Sequence, residues 1–533
     1  AGRVVVCAAG NSGNWPAYHL GYEVTQDTSF TWFQYNANSG LGYGSVFFEL
    51  WADTADLENV QFAIGADKVS PAFDFRGRTP FRQVDEVVGQ NVTDSLKNGD
   101  NLLGVVDYFG EVRGGQYLVQ FHMATPDSSQ YRFRFISTGT GTFDIWSSSI
   151  LGTSNMIASG LPSVETFPDI IHYQLPDKNK HTVSSWACSP NVITVGNYNN
   201  RDQYIDYNGN LQTFDPPAGE LSVNSSHGPT RDNRLKPEVS ASGDLTMSSG
   251  KFSVLNALIA SEPFKVAPGG MHYRNGGTSM AAPVVSGIAA LLLQQCPFAS
   301  NETIRQAILI NTYSDGFTGE SENNAYGNGK ADATAALESL YFQPQIEQPA
   351  EIALCEGESV ALSLNQDYIQ YSWPDESTGS TLLVADSGQY AVEVVNELGC
   401  VGKSDTVAVS IHPLPAVQVE QQLDTLFATN NGQWTYQWLF NGEPIDGAEQ
   451  HFVVPADAGI YSVVVEDTLG CTDASNEIDF AITSTDSEIS KSWEVYPIPV
   501  DDRLWIRGDA SLSSISIWSA DGREIYRWEN SNR

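Results

Sequence analysis

The stretch that decides the fold reads Gly276-Gly277-Thr278-Ser279-Met280-Ala281-Ala282-Pro283 and runs on through Val284-Val285-Ser286-Gly287-Ile288-Ala289-Ala290-Leu291-Leu292-Leu293. Apolar side chains recur at Val284, Val285, Ile288, Leu291 and Leu292, the 3.6-residue period of a helix with one buried face. Pro283 falls in the first turn, where its missing N–H leaves no bond unmade. Ser279 is therefore expected at a helix N-terminus. There its hydroxyl lies in the positive end of the helix dipole, and its own N–H is free to donate to a developing oxyanion. Ala281 and Ala282 are small enough to let a substrate backbone approach. Gly-Thr-Ser alone reads more readily as an ordinary Ser/Thr cap on a core helix, so the rest of the string and its company elsewhere must decide.

Outward from this helix, a second is expected over Asn301 to Asn311, opened by Ser300, and a third over Ala331 to Leu340, with short strands such as Val192 to Val195 around them. From about Leu20 to Tyr173 the pattern changes to short alternating segments, among them Phe30 to Tyr35, Val46 to Trp51, Gln116 to Phe121 and Tyr131 to Ile136, separated by Gly, Asn and Asp turns. This predicts a β-sandwich, of jelly-roll type. Beyond Gln343 a repeat emerges: Tyr390 and Tyr461, like Cys400 and Cys471, share an offset of 71 residues.

The chain of 533 residues is long enough for about three to five domains. Its 27 Lys and Arg against 64 Asp and Glu give a net charge of −37, a field that excludes phosphate backbones and anionic lipid as partners. Charged residues make up only 17 %, while aromatics reach 11 %, a balance that suits β-rich exported modules. The apolar run Met280–Leu293 is shorter than the ~20 residues a bilayer needs, so no membrane insertion is expected. The first residues, leading into Val4-Val5-Val6, show no basic or apolar leader pattern, and the chain is expected to start inside a domain. Six cysteines have no metal-ligand spacing, and no clustered D-x-D loop suggests calcium; neither a metal nor a cofactor is assigned.

The Gly-Thr-Ser-Met-Ala-Ala-Pro string with its helix resembles the nucleophile motif of the subtilisin-like serine peptidases. Two further stretches resemble the same family in the expected order. Val5-Val6-Cys7-Ala8-Ala9-Gly10-Asn11-Ser12-Gly13 is similar to the strand and turn that carry the oxyanion-hole asparagine, and Asn191 to Gly196 with Ser225 to Gly243 is similar to its N-V-I-T-V-G and S-S-x-G-P-T…K-P-D-V-x-A-P-G segments. The resemblance implies an α/β domain with a parallel sheet and flanking helices, built from residues 1–18 and 176–342, with the sandwich inserted at 19–175. It implies Ser279 as nucleophile, Asn11 as oxyanion donor, and Ala8, Ala9, Gly10, Gly277 and Thr278 as substrate-binding residues. Ser242 replaces the usual proline, and His227 stands where the family often has arginine. The family's catalytic aspartate and histidine precede the asparagine motif, so they are expected upstream of Ala1. Of the eight histidines only His272 lies near Ser279 in sequence, with no acid to orient it.

The repeat resembles immunoglobulin-like modules, with Trp373 and Trp438 as core tryptophans and D-x-G-x-Y corners at Asp386 to Tyr390 and Asp457 to Tyr461. Two such β-sandwich domains are expected, at 346–413 and 414–484. The resemblance implies a Cys355–Cys400 bridge in the first and leaves Cys471 unpaired. The stretch Ser492 to Ile506 with Ile515 to Tyr526 resembles the type IX secretion sorting domain of Bacteroidetes, truncated, at 490–533; Ile498 departs from the usual Asn. The expectation is a secreted or surface-attached serine endopeptidase acting on protein or peptide substrates and engaging the type IX machinery. The alternative is a non-catalytic adhesion or glycan-binding protein on a peptidase-like scaffold.

Overall fold

The computed structural model describes residues 3–147, 154–177, 179–320, 322–482, 494–496, 505–507, 514–519 and 523–529. The chain is strand-rich and forms two compact units, the first of residues 1–350, 361–383 and 389–407, the second of 351–360, 384–388 and 408–533.

In the first unit a five-stranded sheet is ordered Val5–Ala8, Val192–Asn199, Val239–Asp244, Lys330–Ala331, Thr312–Tyr313. The first three strands run parallel, with Val5 opposite Val192 and Val195 opposite Val239. Parallel strands must be covered on their faces, and the helix Thr278–Gln295 does this with Ala281, Val285, Ile288 and Leu292 packed against Ile193, Val195, Val239 and Ala241. Among the described residues it is the one helix long and apolar enough to cross a bilayer; here its apolar face belongs to this core. Helix Asn301–Ile310 begins as expected at Ser300, whose hydroxyl accepts the Thr303 N–H, and helix Ala333–Leu340 is capped by Asp332. A further helix, Phe252–Ser261, has no counterpart in the sequence reading.

The same unit holds two antiparallel sheets. One is ordered His19–Val24, Gly141–Trp146, Val46–Asp53, Gln116–Ala124, Asn101–Arg113, Asn91–Asn98, and the other Ser29–Gln34, Arg132–Gly139, Val60–Lys68, Asp74–Arg78. Alternate residues interdigitate between them, with Phe33, Phe48 and Phe121 stacked at ring separations of 4.1 and 4.7 Å. Asp177 N–H donates to the His19 carbonyl where the chain enters and leaves these sheets.

In the second unit, strands Thr435–Phe440 and Gly459–Glu466 pair beside a three-stranded sheet, around Trp438, Val463, Val465 and Phe480. The Tyr461 hydroxyl donates to the Asp457 carbonyl at 3.1 Å, fastening the corner. Residues 346–413 are divided between the two units. Most of the 490–533 stretch lies outside the described residues; within it, Glu494–Tyr496 pairs Trp505–Arg507 and Ser514–Trp518 pairs Glu524–Glu529.

The expected Cys355–Cys400 bridge is not formed. Cys400 is bonded to Cys296, and Cys355 to Cys471, so Cys471 is paired as well. The cause is local: Phe298 N–H donates to the Gly399 carbonyl, which brings the turn before Cys400 to the end of the long helix, and Cys400 is buried in the α/β core.

Candidate functional site

Asn11 and Ser279 are both delivered by the carboxyl ends of the parallel strands, where ligands of open α/β sheets gather. Asn11 follows Val5–Ala8. Ser279 follows strand Val239–Asp244, a hairpin of Thr246–Ser249 with His272–Asn275, and the two glycines.

The Asn11 loop is held from three directions. Ala9 N–H donates to Val195 O, Ser184 N–H to Ala9 O, and Ser226 N–H to Gly10 O. Ser12 N–H donates to the Ser226 hydroxyl at 3.0 Å, and Gly10 N–H to the Thr278 hydroxyl at 3.1 Å. Ser225 and Ser226 are fully buried, so the Ser225-Ser226-His227-Gly228 segment supports the loop from below, a role its motif alone did not reveal.

Thr278 joins the loop to the helix. Its N–H donates to Asn11 Oδ1 at 2.9 Å and its hydroxyl to the same oxygen at 3.1 Å. Oδ1 is thus engaged twice, and Nδ2 has no hydrogen-bond partner among the described residues. Gly277 makes this approach feasible: its φ is +101°, and a Cβ there would sit 2.8 Å from Asn11 Nδ2.

Gly277 is also the helix N-cap, with no side-chain cap bond. This removes the ordinary-cap reading of Ser279: the residue is exposed, and neither its hydroxyl nor its N–H has a hydrogen-bond partner among the described residues. A hydroxyl, a free N–H and a free amide thus lie at one helix N-terminus, an arrangement suited to a nucleophile beside an oxyanion.

The remaining expected binding residues divide. Ala8 and Gly10 are partly exposed, whereas Ala9 and Thr278 are each 0 % exposed and present no surface to a substrate. They hold Asn11 rather than line a pocket. No described histidine hydrogen-bonds Ser279; His272 sits on an exposed strand end opposite Ser249. His227 is held below its ordinary pKa by burial and pairs through its backbone with Thr182. Beneath the sheet, buried Lys236 donates to Ser189 O, Val192 O, Thr194 Oγ1 and Glu238 Oε1, and Arg305 joins Glu238 at 3.0 Å. Burial pulls the Lys236 amine below its usual range while Glu238 opposes the shift.

Residues 172–329 match the Subtilase family (Peptidase S8), so this part of the chain is similar to a subtilase domain. Similar curated proteins include an uncharacterized protein of Aquifex aeolicus, 36 % identical over 137 residues that cover 25 % of this chain and 56 % of that one. The serine protease AprX of Bacillus subtilis is 30 % identical over 155 residues, 29 % of this chain and 31 % of the relative. The Neisserial autotransporter lipoprotein NalP of Neisseria meningitidis is 31 % identical over 112 residues, 21 % and 9 % of the two chains. The matched stretches thus span from about a tenth to just over half of these relatives' lengths.

Proposed function

We propose that this protein is an exported serine endopeptidase of the subtilisin type. The observation that carries the reading is the pairing of Thr278 with Asn11 Oδ1, which ties Asn11 to the residue before the exposed Ser279, while Asn11 Nδ2 and the Ser279 N–H have no partner among the described residues. Ser279 Oγ attacks the carbonyl carbon of a peptide bond as its proton passes to a base. The carbonyl oxygen becomes an oxyanion, which accepts hydrogen bonds from Asn11 Nδ2 and the Ser279 N–H. When the tetrahedral centre collapses, the C–N bond breaks, the base returns its proton to the departing amine, and an acyl-enzyme on Ser279 remains. Water then adds by the same steps in reverse and releases the acid. Since no described histidine touches Ser279, the base and its orienting acid are, in this reading, a histidine and an aspartate from outside the residues given. The −37 charge, the resemblance of the C-terminal stretch to a type IX sorting domain, and the relationship to an autotransporter favour a location outside the cell or on its surface.

Reaction of the natural full-length protein with a fluorophosphonate tests the reading. Label is expected on Ser279 and lost in Ser279→Ala. Label retained in that variant, or no labelling alongside no peptide hydrolysis, refutes it.

A further inference from the structure

We propose that Arg274 gives this site a preference for substrates that carry a carboxylate side chain close to the scissile bond; the proposal rests on the peptidase reading and specifies its substrate class. An open cleft of about 480 Å³ reaches Gly276, three residues before Ser279, and is lined among others by Asp244, Leu258, Lys265, Tyr273 and Arg274. One wall is the hairpin of Thr246–Ser249 and His272–Asn275, in which Arg274 lies opposite Met247. Another is helix Phe252–Ser261, which the chain inserts between these two strands.

Arg274 is half-buried, its guanidinium carbon 4.8 Å from the centre of the Phe214 ring. Among the described residues it has no carboxylate and no hydrogen-bond acceptor. The chain as a whole carries 64 Asp and Glu against 27 Lys and Arg. The other cation of the cleft, Lys265, is engaged by Glu262 at 2.7 Å, and elsewhere in this unit Arg231 is engaged by Asp53 and Asp144 and Lys236 by Glu238.

The acid within the cleft does not serve Arg274 either. Asp244 Oδ2 accepts from the Ser222 hydroxyl and from Asn224 Nδ2, and Oδ1 accepts the Leu245 N–H. Both of its oxygens therefore already accept hydrogen bonds from the protein itself. A planar guanidinium resting by its face on an aromatic ring keeps its N–H edge available, and that edge matches a carboxylate through two parallel hydrogen bonds. Lys265, the other cation lining the cleft, is already paired with Glu262, which leaves Arg274 as the group to meet a substrate carboxylate. A glutamate or aspartate of a bound peptide supplies the missing partner, whereas a lysine side chain there meets like charge.

The experiment compares paired fluorogenic peptides that differ only by Glu or Gln at each of three positions on either side of the cleaved bond, using the natural full-length protein. The kcat/KM ratio of the Glu to the Gln peptide is expected to reach about tenfold at one position, the worth of a charge-assisted hydrogen bond in a half-exposed site. Arg274→Gln brings that ratio to about one, Arg274→Lys keeps part of it, and Arg274→Glu inverts it in favour of the Gln peptide. Each ratio is taken within one variant, so a general loss of activity or stability cancels. Hydrolysis of the peptides with no position favouring Glu, or a preference unchanged in Arg274→Gln, overturns this proposal and leaves the peptidase reading standing. Absence of both hydrolysis and Ser279 labelling overturns the two together.

Discussion

Replacing Thr278 by Val tests how Asn11 is held without touching either donor of the oxyanion. Valine has nearly the same shape but no hydroxyl, and Thr278 is fully buried, so water does not take the vacated role. Two bonds are lost: Gly10 N–H to Oγ1 at 3.1 Å, and Oγ1–H to Asn11 Oδ1 at 3.1 Å. One is kept, from the Thr278 N–H to Asn11 Oδ1 at 2.9 Å. The unpaired Gly10 N–H costs roughly 1–3 kcal/mol of stability. Asn11 loses one of its two tethers, worth about 1 kcal/mol net, so the orientation that presents Nδ2 becomes roughly fivefold less favoured. Complete loss of such a donor lowers turnover by about 10²–10³. Thr278→Val is therefore expected to reduce kcat about fivefold, Asn11→Ala by ~10²–10³, and Thr278→Ser hardly at all, with KM little altered because the oxyanion exists only in the transition state. Steady-state kinetics on a fluorogenic peptide, with a thermal melt to show that each variant is folded, measures the series. A Thr278→Val enzyme within twofold of the parent, or one as impaired as Asn11→Ala, refutes the reasoning.

Non-reducing peptide mapping should recover Cys296 linked to Cys400 and Cys355 linked to Cys471; a Cys355–Cys400 peptide contradicts the pairing. Loss of the Cys296–Cys400 bridge, whose ends are 104 residues apart, should cost about 2–5 kcal/mol in chemical denaturation. Lys236→Ala leaves Glu238 buried with only Arg305 as a cation and should destabilise by roughly 3–5 kcal/mol, while Lys236→Met with Glu238→Gln should cost less than the sum of the single changes. Stability should also vary with pH near neutrality. His19 is buried, with Nε2 3.1 Å from Asp144 Oδ1 and Nδ1 3.4 Å from Asp177 Oδ2, and Arg231 bonds the other oxygen of Asp144. Burial opposes its charge, but the hydrogen bonds and charges of Asp144 and Asp177 outweigh burial and raise its pKa. This contribution is full below the ordinary histidine value and is lost as pH rises through the raised one. Neighbouring His181, its ring 4.4 Å away, is held below the ordinary value by burial and by His19, so its contribution runs the other way and is lost as pH falls. Urea denaturation from pH 5 to 8 should show the high-pH loss flattened in His19→Gln; an unchanged slope contradicts the assignment.

What could be read from the sequence depended on whether a feature is local. The helix of Ser279 announces itself through a periodic apolar face and two glycines, all within eighteen residues, and it begins at Thr278 as that pattern requires. Helix Phe252–Ser261 escaped because Leu255 is its one buried residue, so no apolar stripe stands out from Phe-Ser-Val-Leu-Asn-Ala-Leu-Ile-Ala-Ser. The cysteines show the limit more sharply. The offset of 71 residues makes Cys400 and Cys471 look equivalent, yet sulfur pairing follows neighbours in space, and one bond from Phe298 N–H to Gly399 O gives Cys400 a neighbour the repeat cannot encode. The site divides in the same way. Asn11 and Ser279 stand out as single residues in motifs, but the tether between them joins positions 267 apart and depends on a hydroxyl that the motif string treats as one letter among seven. Arg274 lies at the far end of this scale. Its significance is a missing partner, and because composition and spacing register only residues that are present, it becomes legible only once Asp244, the acid lining the cleft, and Glu262, which pairs Lys265, have been assigned to other groups.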